Sequence, residues 1–191
     1  MIYRLAEPLL LRPPGKPRKR GRDGHKLAGN GRHTGNARGG PGPGRESTGD
    51  RVSSNRRIVV SIPDRKLALV EHERVVGVYR VSVGAPVSPS PVGTFTIVTR
   101  IPNPTYYRPG KVIGPGPSNP LGTRWIGLNE RGYGIHGTDE PDSIGFDRSH
   151  GCIRLRNRDV EQLFDRVREG DVVELHAERT EALARLFAHG R

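Results

Sequence analysis

Residues 57–84 read "RIVVSIPDRKLALVEHERVVGVYRVSVG". Short β-branched runs alternate here with turn signals, which predicts strands over Ile58–Ile62, Lys66–Glu71 and Val75–Val83. The connections "PDRK" and "HER" are short enough for hairpins. This stretch sets the class as mainly β. Further on, Pro91 and Gly93 punctuate the chain before a strand over Thr94–Ile101. A long Pro/Gly-rich stretch follows, "PNPTYYRPGKVIGPGPSNPLGT" (102–123). Loops of this length inside a compact domain are often functional. "RWIGL" (124–128) and "GYGIHG" (132–137) read as two more short strands.

One helix stands out. In "NRDVEQLFDRVREG" (157–170), Val160, Leu163, Phe164 and Val167 fall at i, i+3, i+4 and i+7. Asn157 is the expected N-cap, Asp159 suits the first turn, and Gly170 is the expected stop. "DVVELH" reads as a closing strand, and "TEALARLFAH" as a short terminal helix. Many short strands and one packed helix predict a β-sandwich or partly closed barrel.

Working back to the N-terminus, the character changes. Residues 1–55 hold 12 Lys+Arg against 4 Asp+Glu, whereas the remaining 136 residues hold 20 against 16. Residues 12–55 have almost no apolar side chains and are expected to be a disordered, solvated basic tail. A basic tail can bind nucleic acid or an anionic polymer, but without aromatic interleaving or a binding motif no specific nucleic acid is expected. The expected partition is therefore a tail over 1–55, a domain over 56–177 and a C-terminal helix within 178–191. No apolar run reaches the roughly 18 residues of a transmembrane helix, and no export signal is readable.

The chain has a single cysteine, Cys152, in "SHGC" (149–152). It cannot form an intrachain disulfide, and it excludes zinc sites with two thiolates. A thiol near its ordinary pKa is only about 3% thiolate at pH 7. A histidine that takes its proton makes it a nucleophile, and His136 and His150 are both candidates. Arg148 and Arg154 add positive potential. Gly151 clears space for a substrate carbonyl and lets backbone N–H groups face an oxyanion. The quieter alternative is a small buried thiol beside structural histidines, which composition alone favours. A metal site of His136, His150 and Cys152 lacks a fourth donor at suitable spacing, so neither metal nor cofactor is expected.

The stretch "IHGTDEPDSIGFDRSHGCIRL" (135–155) closely resembles the active-site motif of the L,D-transpeptidase catalytic domain, or YkuD, family. The matching residues are His136–Gly137–Thr138, Ser149–His150–Gly151–Cys152, Ile153 and Arg154. "SPVGTFTI" (90–97) resembles the family's "TPxGxF" segment, and "GPSNPLGTRWIGL" (116–128) its "GxxNPLGxR" segment. The resemblance covers residues 57–176. It implies a mainly β domain acting on peptidoglycan stem peptides through a cysteine thioester. Cys152 would be the nucleophile, His136 the base, and Gly137 the residue whose carbonyl orients the imidazole. Ser149, His150 and Gly151 would shape the site and its oxyanion hole. Arg154 would hold the loop or a substrate carboxylate, and Tyr106 and Tyr107 would cover the donor peptide. Trp125 is expected in the core. The acceptor would be a second stem peptide or a lipoprotein lysine. With water as acceptor, the same site is an L,D-carboxypeptidase. A silent wall-binding module is the non-enzymatic alternative, and an intact His136/Cys152 pair argues against it. The resemblance further implies a periplasmic or cell-wall location, and the chain is expected to be a monomer.

Overall fold

A computed structural model describes residues 55–188. The expected tail lies outside the described residues, apart from Asn55.

The opening strands form where the alternation places them. β1 (Arg56–Ser61) pairs antiparallel with β2 (Lys66–Glu71), which pairs antiparallel with β3 (Arg74–Arg80). The third strand is shorter than the sequence predicts. Ser82 leaves it to bridge Arg154, and β4 (Val83–Gly84) then pairs elsewhere. β5 (Gly93–Pro102), β8 (Arg124–Leu128) and β9 (Gly134–His136) continue the sheet, with β6 (Tyr106–Arg108) and β7 (Lys111–Ile113) forming a separate hairpin between them in sequence. That hairpin occupies the stretch expected to be irregular. β10 (Asp147–Ser149) pairs parallel with β4, and β11 (Ile153–Arg154) pairs parallel with β9. Helix α1 (Asn157–Arg166) follows, then β12 (Val172–His176) and α2 (Glu181–Ala188). The main sheet has eight strands in the order β11-β9-β8-β5-β12-β1-β2-β3 and is mainly antiparallel. Of its two parallel pairs, β1 with β12 is joined by a connection that carries β2 to α1, and β9 with β11 by residues 137–152.

The sheet buries both faces at its β1–β2 end. Ile58, Val60, Leu67 and Leu69 point into the main core with Ile126, Ile135, Leu155 and the α1 residues Val160, Leu163 and Phe164. Val59, Ala68 and Val70 point the other way, against Leu183 and Phe187 of α2. This explains why "IVV" and "LALV" are continuous apolar runs: a strand covered on both sides has no polar face. The expected single packed helix is therefore joined by a second on the opposite face.

The helix-start expectation needs correction. Arg156, in extended conformation, is the N-cap of α1 and makes no side-chain cap bond. Asn157 is the first helical residue, and its side chain serves neighbouring loops instead. The helix ends at Arg166, and Gly170 (φ +94°) turns the chain three residues beyond the Val167 C-cap.

Candidate active site

His136 ends β9 and is 5% exposed. Cys152 immediately precedes β11. Pairing of Ile153 with Ile135 and of Arg154 with His136 lays these two segments side by side in parallel. The two residues, sixteen apart in sequence, are therefore brought to one end of the sheet by a single strand pairing.

The imidazole is held on two counts. Its Nδ1 lies 2.6 Å from the Gly137 carbonyl oxygen, which can only accept, so Nδ1 carries the proton and Nε2 the lone pair. The Trp125 ring stacks on it at 5.6 Å between centroids and 24° between planes. Trp125 was expected in the core. It is half-buried and forms one wall of the histidine, with Gly127 and Gly134 leaving room for the indole. Burial, then the nearby Arg154 charge, push the His136 pKa down to about 4, opposed by the Gly137 hydrogen bond. The ring is neutral at pH 7.

Cys152 keeps partial exposure, but protein crowds its sulfur. Burial pushes the thiol up to about 11, with a Gly134 backbone hydrogen bond and Arg154 pulling the other way. Its Sγ–H donates to the Gly132 carbonyl at 3.5 Å. Burial thus favours the neutral form of both groups, the Cys152 thiol and the His136 imidazole.

The turn into Cys152 is built by Ser149 and Gly151. Buried Ser149 donates through Oγ to the Cys152 carbonyl at 2.5 Å and accepts the Gly151 N–H at 3.0 Å. The Gly151 N–H is thereby engaged within the turn. Gly151 has φ +112°, and a Cβ there would sit 2.6 Å from Tyr133 Cε1. Both facts require glycine. His150 is exposed, and its carbonyl accepts from Ser88 Oγ at 3.0 Å. Arg154 points Nη1 at Glu140 Oε2, 3.1 Å away, with its side chain 13% exposed. Tyr106 and Tyr107 sit half-buried on the separate β6–β7 hairpin, which shares no strand pairing with β9 or β11.

Two residues hold the surrounding loops: Asn157, which the sequence suggested only as a helix cap, and Asn119. Asn157 Oδ1 accepts the N–H groups of Thr138 (3.1 Å) and Thr123 (3.3 Å). A Cβ on Gly122 or Gly137 would fall 2.0 or 2.1 Å from that oxygen, so both glycines are sites of close approach. Asn119, fully buried, donates through Nδ2 to the carbonyls of Pro104 (2.7 Å) and Gly114 (3.0 Å), and its Oδ1 accepts the Leu121 N–H (2.9 Å). It pins both ends of the hairpin segment. The cues in sequence were an Asn before a Pro inside a long loop and its place in the "GxxNPLGxR"-like segment, and neither says what the side chain ties.

Comparison with known proteins bears on this arrangement. The profile of the L,D-transpeptidase catalytic domain, YkuD, matches residues 55–175. Two Bacillus proteins with inferred L,D-transpeptidase names are similar: YqjB of B. subtilis strain 168, 39% identical over 118 residues, and YkuD of B. licheniformis, 41% identical over 119. The alignments take in 59% and 62% of this chain and 66% and 64% of the relatives, just under two thirds of their length. Among solved structures, an L,D-transpeptidase from Mycobacterium tuberculosis superposes with a TM-score of 0.56 at 22% identity, covering 64% of this chain and 57% of that one. The catalytic domain of the Enterococcus faecium L,D-transpeptidase gives 0.53 at 23%, covering 64% of this chain and 98% of that domain. At these identities the structures speak for the fold alone. The profile covers more than half of the sequence, and both segments that carry His136 and Cys152 lie inside it, so the chain belongs to the L,D-transpeptidase catalytic domain (YkuD) family.

Proposed function

We propose that this protein is a cysteine acyltransferase that cleaves an L–D peptide bond in a peptidoglycan stem peptide and passes the acyl group to an amine. The observation that carries the reading is the parallel β9–β11 pairing. It lays the strand that follows Cys152 alongside the strand that ends in His136, whose Nδ1 is already committed to a carbonyl. Membership of a family of peptidoglycan-acting enzymes supports the substrate class.

The chemistry follows from the protonation states. Cys152 Sγ attacks the carbonyl carbon of the L-residue as its proton passes to His136 Nε2. The oxyanion takes a hydrogen bond from the Cys152 backbone N–H. Ser149 fixes this turn by holding the Gly151 N–H and the Cys152 carbonyl. The C–N bond breaks, the imidazolium gives its proton to the departing amine, and a thioester remains. In the second half an acceptor amine attacks the thioester, its surplus proton passes to His136, and the C–S bond breaks. The thiolate then recovers that proton. Arg154 favours the thiolate, which assists attack, and disfavours the imidazolium, which hastens passage of its proton to the departing amine. His150 shapes the exposed rim, and Tyr106 and Tyr107 offer an aromatic surface to the donor peptide. The polymeric substrate places the enzyme in the periplasm or cell wall. Among the described residues no helix is long and apolar enough to cross a membrane.

The test is covalent labelling. A carbapenem acylates a nucleophilic thiol, so intact mass should rise by one adduct on the wild-type chain and stay unchanged on Cys152→Ala with matching circular dichroism. An adduct on the Ala variant would sink the reading. Water as acceptor would instead make the protein a carboxypeptidase, and product analysis with and without an amine separates the two.

A further inference from the structure

The chain reaches the cysteine turn from a second direction. Residues 85–93, "APVSPSPVG", follow β4 and carry three prolines, each of which fixes its own backbone φ. The Ser88 N–H donates to the Ala85 carbonyl at 2.8 Å, and the Gly84 N–H donates to buried Ser90 Oγ at 2.9 Å. A Cβ on Gly84 would meet the Ser88 carbonyl oxygen and the Ser90 nitrogen at 2.4 Å, so the loop folds tightly back on β4. From there it grips the turn before Cys152. The Ala85 N–H donates to the Ser149 carbonyl at 2.9 Å, and half-buried Ser88 donates through Oγ to the His150 carbonyl at 3.0 Å. The Pro89 carbonyl oxygen lies 3.3 Å from the place a Cβ on Gly151 would take.

We propose that Ser88 is a positioning residue for acyl transfer: by bonding the His150 carbonyl it fixes the His150–Gly151 peptide and so aims the Cys152 N–H at the oxyanion.

The inference rests on the transferase reading and deepens it. A carbonyl and the N–H that follows it share one rigid plane, so a bond at either end orients both. The Ser149–His150 plane is held at its carbonyl by Ala85. The His150–Gly151 plane is held at both ends, by Ser88 at the carbonyl and by Ser149 Oγ at the Gly151 N–H. The Cys152–Ile153 plane is held by Ser149 Oγ at the Cys152 carbonyl. Between these lies the Gly151–Cys152 plane, and its N–H has no partner among the described residues. That unengaged donor is the one the oxyanion needs. Its direction is set by the planes on either side, and Gly151, at φ +112°, is the joint about which it would otherwise swing. An oxyanion donor works by being aimed before charge develops, so loss of aim costs rate. Ser149 holds the turn from within and Ser88 from outside. Without the Ser88 hydroxyl, the His150–Gly151 plane keeps only its N–H bond and can rock about it. A single bond from a half-buried hydroxyl to the carbonyl of an exposed residue adds modestly to global stability, so its larger consequence is orientation.

The test compares two reagents at Cys152 in the full chain. A carbapenem acylates the thiol through a tetrahedral oxyanion. Iodoacetamide alkylates it by displacing iodide and forms none. Ser88→Ala should slow carbapenem adduct formation about tenfold, while iodoacetamide labelling stays within about twofold of wild type. Ser88→Thr keeps the hydroxyl, and the extended backbone that precedes a proline suits a β-branched residue, so it should restore the acylation rate. Amide exchange reads the same contact without acylation. The Gly151 N–H should exchange about fivefold faster in Ser88→Ala and return to the wild-type rate in Ser88→Thr. A wild-type acylation rate in Ser88→Ala, an equal fall in both labelling rates, or unchanged Gly151 exchange overturns the proposal and leaves the transferase reading standing. A wild-type chain that iodoacetamide labels and a carbapenem does not would overturn the transferase reading, and the catalytic role of Ser88 with it.

Discussion

At the scale of the residue, the site is governed by burial. Burial favours the neutral His136 imidazole and the protonated Cys152 thiol, so in the proposed reaction charge separation would wait for substrate. The same burial makes a stability prediction. His136 is depressed from 6.5 to about 4 in the folded chain. The unfolded chain therefore binds a proton at higher pH than the native one does. The contribution is fully present above pH 6.5 and is lost as pH falls through 4. About 2.5 units correspond to roughly 3 kcal/mol over that window. Urea unfolding at pH 7.5 and at pH 4 should show this loss in the wild-type chain. His136→Gln should be less stable at pH 7.5 yet lose about 3 kcal/mol less on acidification. Equal acid losses in the two proteins would place the protonation elsewhere.

At the scale of the element, α1 serves the site through its first residue. Asn157 Oδ1 holds the N–H of Thr138, the residue after Gly137, and the Gly137 carbonyl orients the imidazole. Asn157→Ala should leave the N–H groups of Thr138 and Thr123 without their partner, at about 1–3 kcal/mol of stability. It should also slow carbapenem adduct formation on the order of tenfold or more by letting the imidazole drift. Asn157→Asp keeps an acceptor oxygen in place and should restore most of the rate. Rescue of stability without rescue of rate would confine Asn157 to a structural role. The same helix shows what a sequence can and cannot convey. Its apolar stripe was legible because periodicity reports the buried face directly, and Val160, Leu163 and Phe164 lie there as expected. Its cap was not legible. Asn157 satisfies N–H groups 34 and 19 residues away, and no local pattern carries that information. The proximity of His136 and Cys152 was likewise invisible to composition. The side-by-side course of their segments is a product of strand pairing, and the sequence offered both His136 and His150 as partners of the thiol. Trp125 was expected in the core, and its place against the imidazole comes from the β8–β9 pairing, which sets it opposite His136.

At the scale of the whole molecule, the sheet separates stability from chemistry. Its strand order puts β9 and β11, with the candidate site, at one end and β2 and β3 at the other. The far end is closed from outside by α2, where Leu183 and Phe187 cover Val59, Ala68 and Val70. Leu183 is 6% exposed, so truncation to Ala removes buried apolar volume and leaves a gap the helix can only partly close. Leu183→Ala should cost about 2–3 kcal/mol, read as a lower urea midpoint at unchanged slope. Distant sites with no shared partners act additively, so the adduct rate of the folded variant should match that of the wild type. A rate that falls along with the midpoint would mean that the α2 face and the β9–β11 end move as one unit. Equal rates would establish that α2 steadies the sheet without touching the thiol–imidazole pair. The second apolar face of "IVV" and "LALV" would then be accounted for by stability alone.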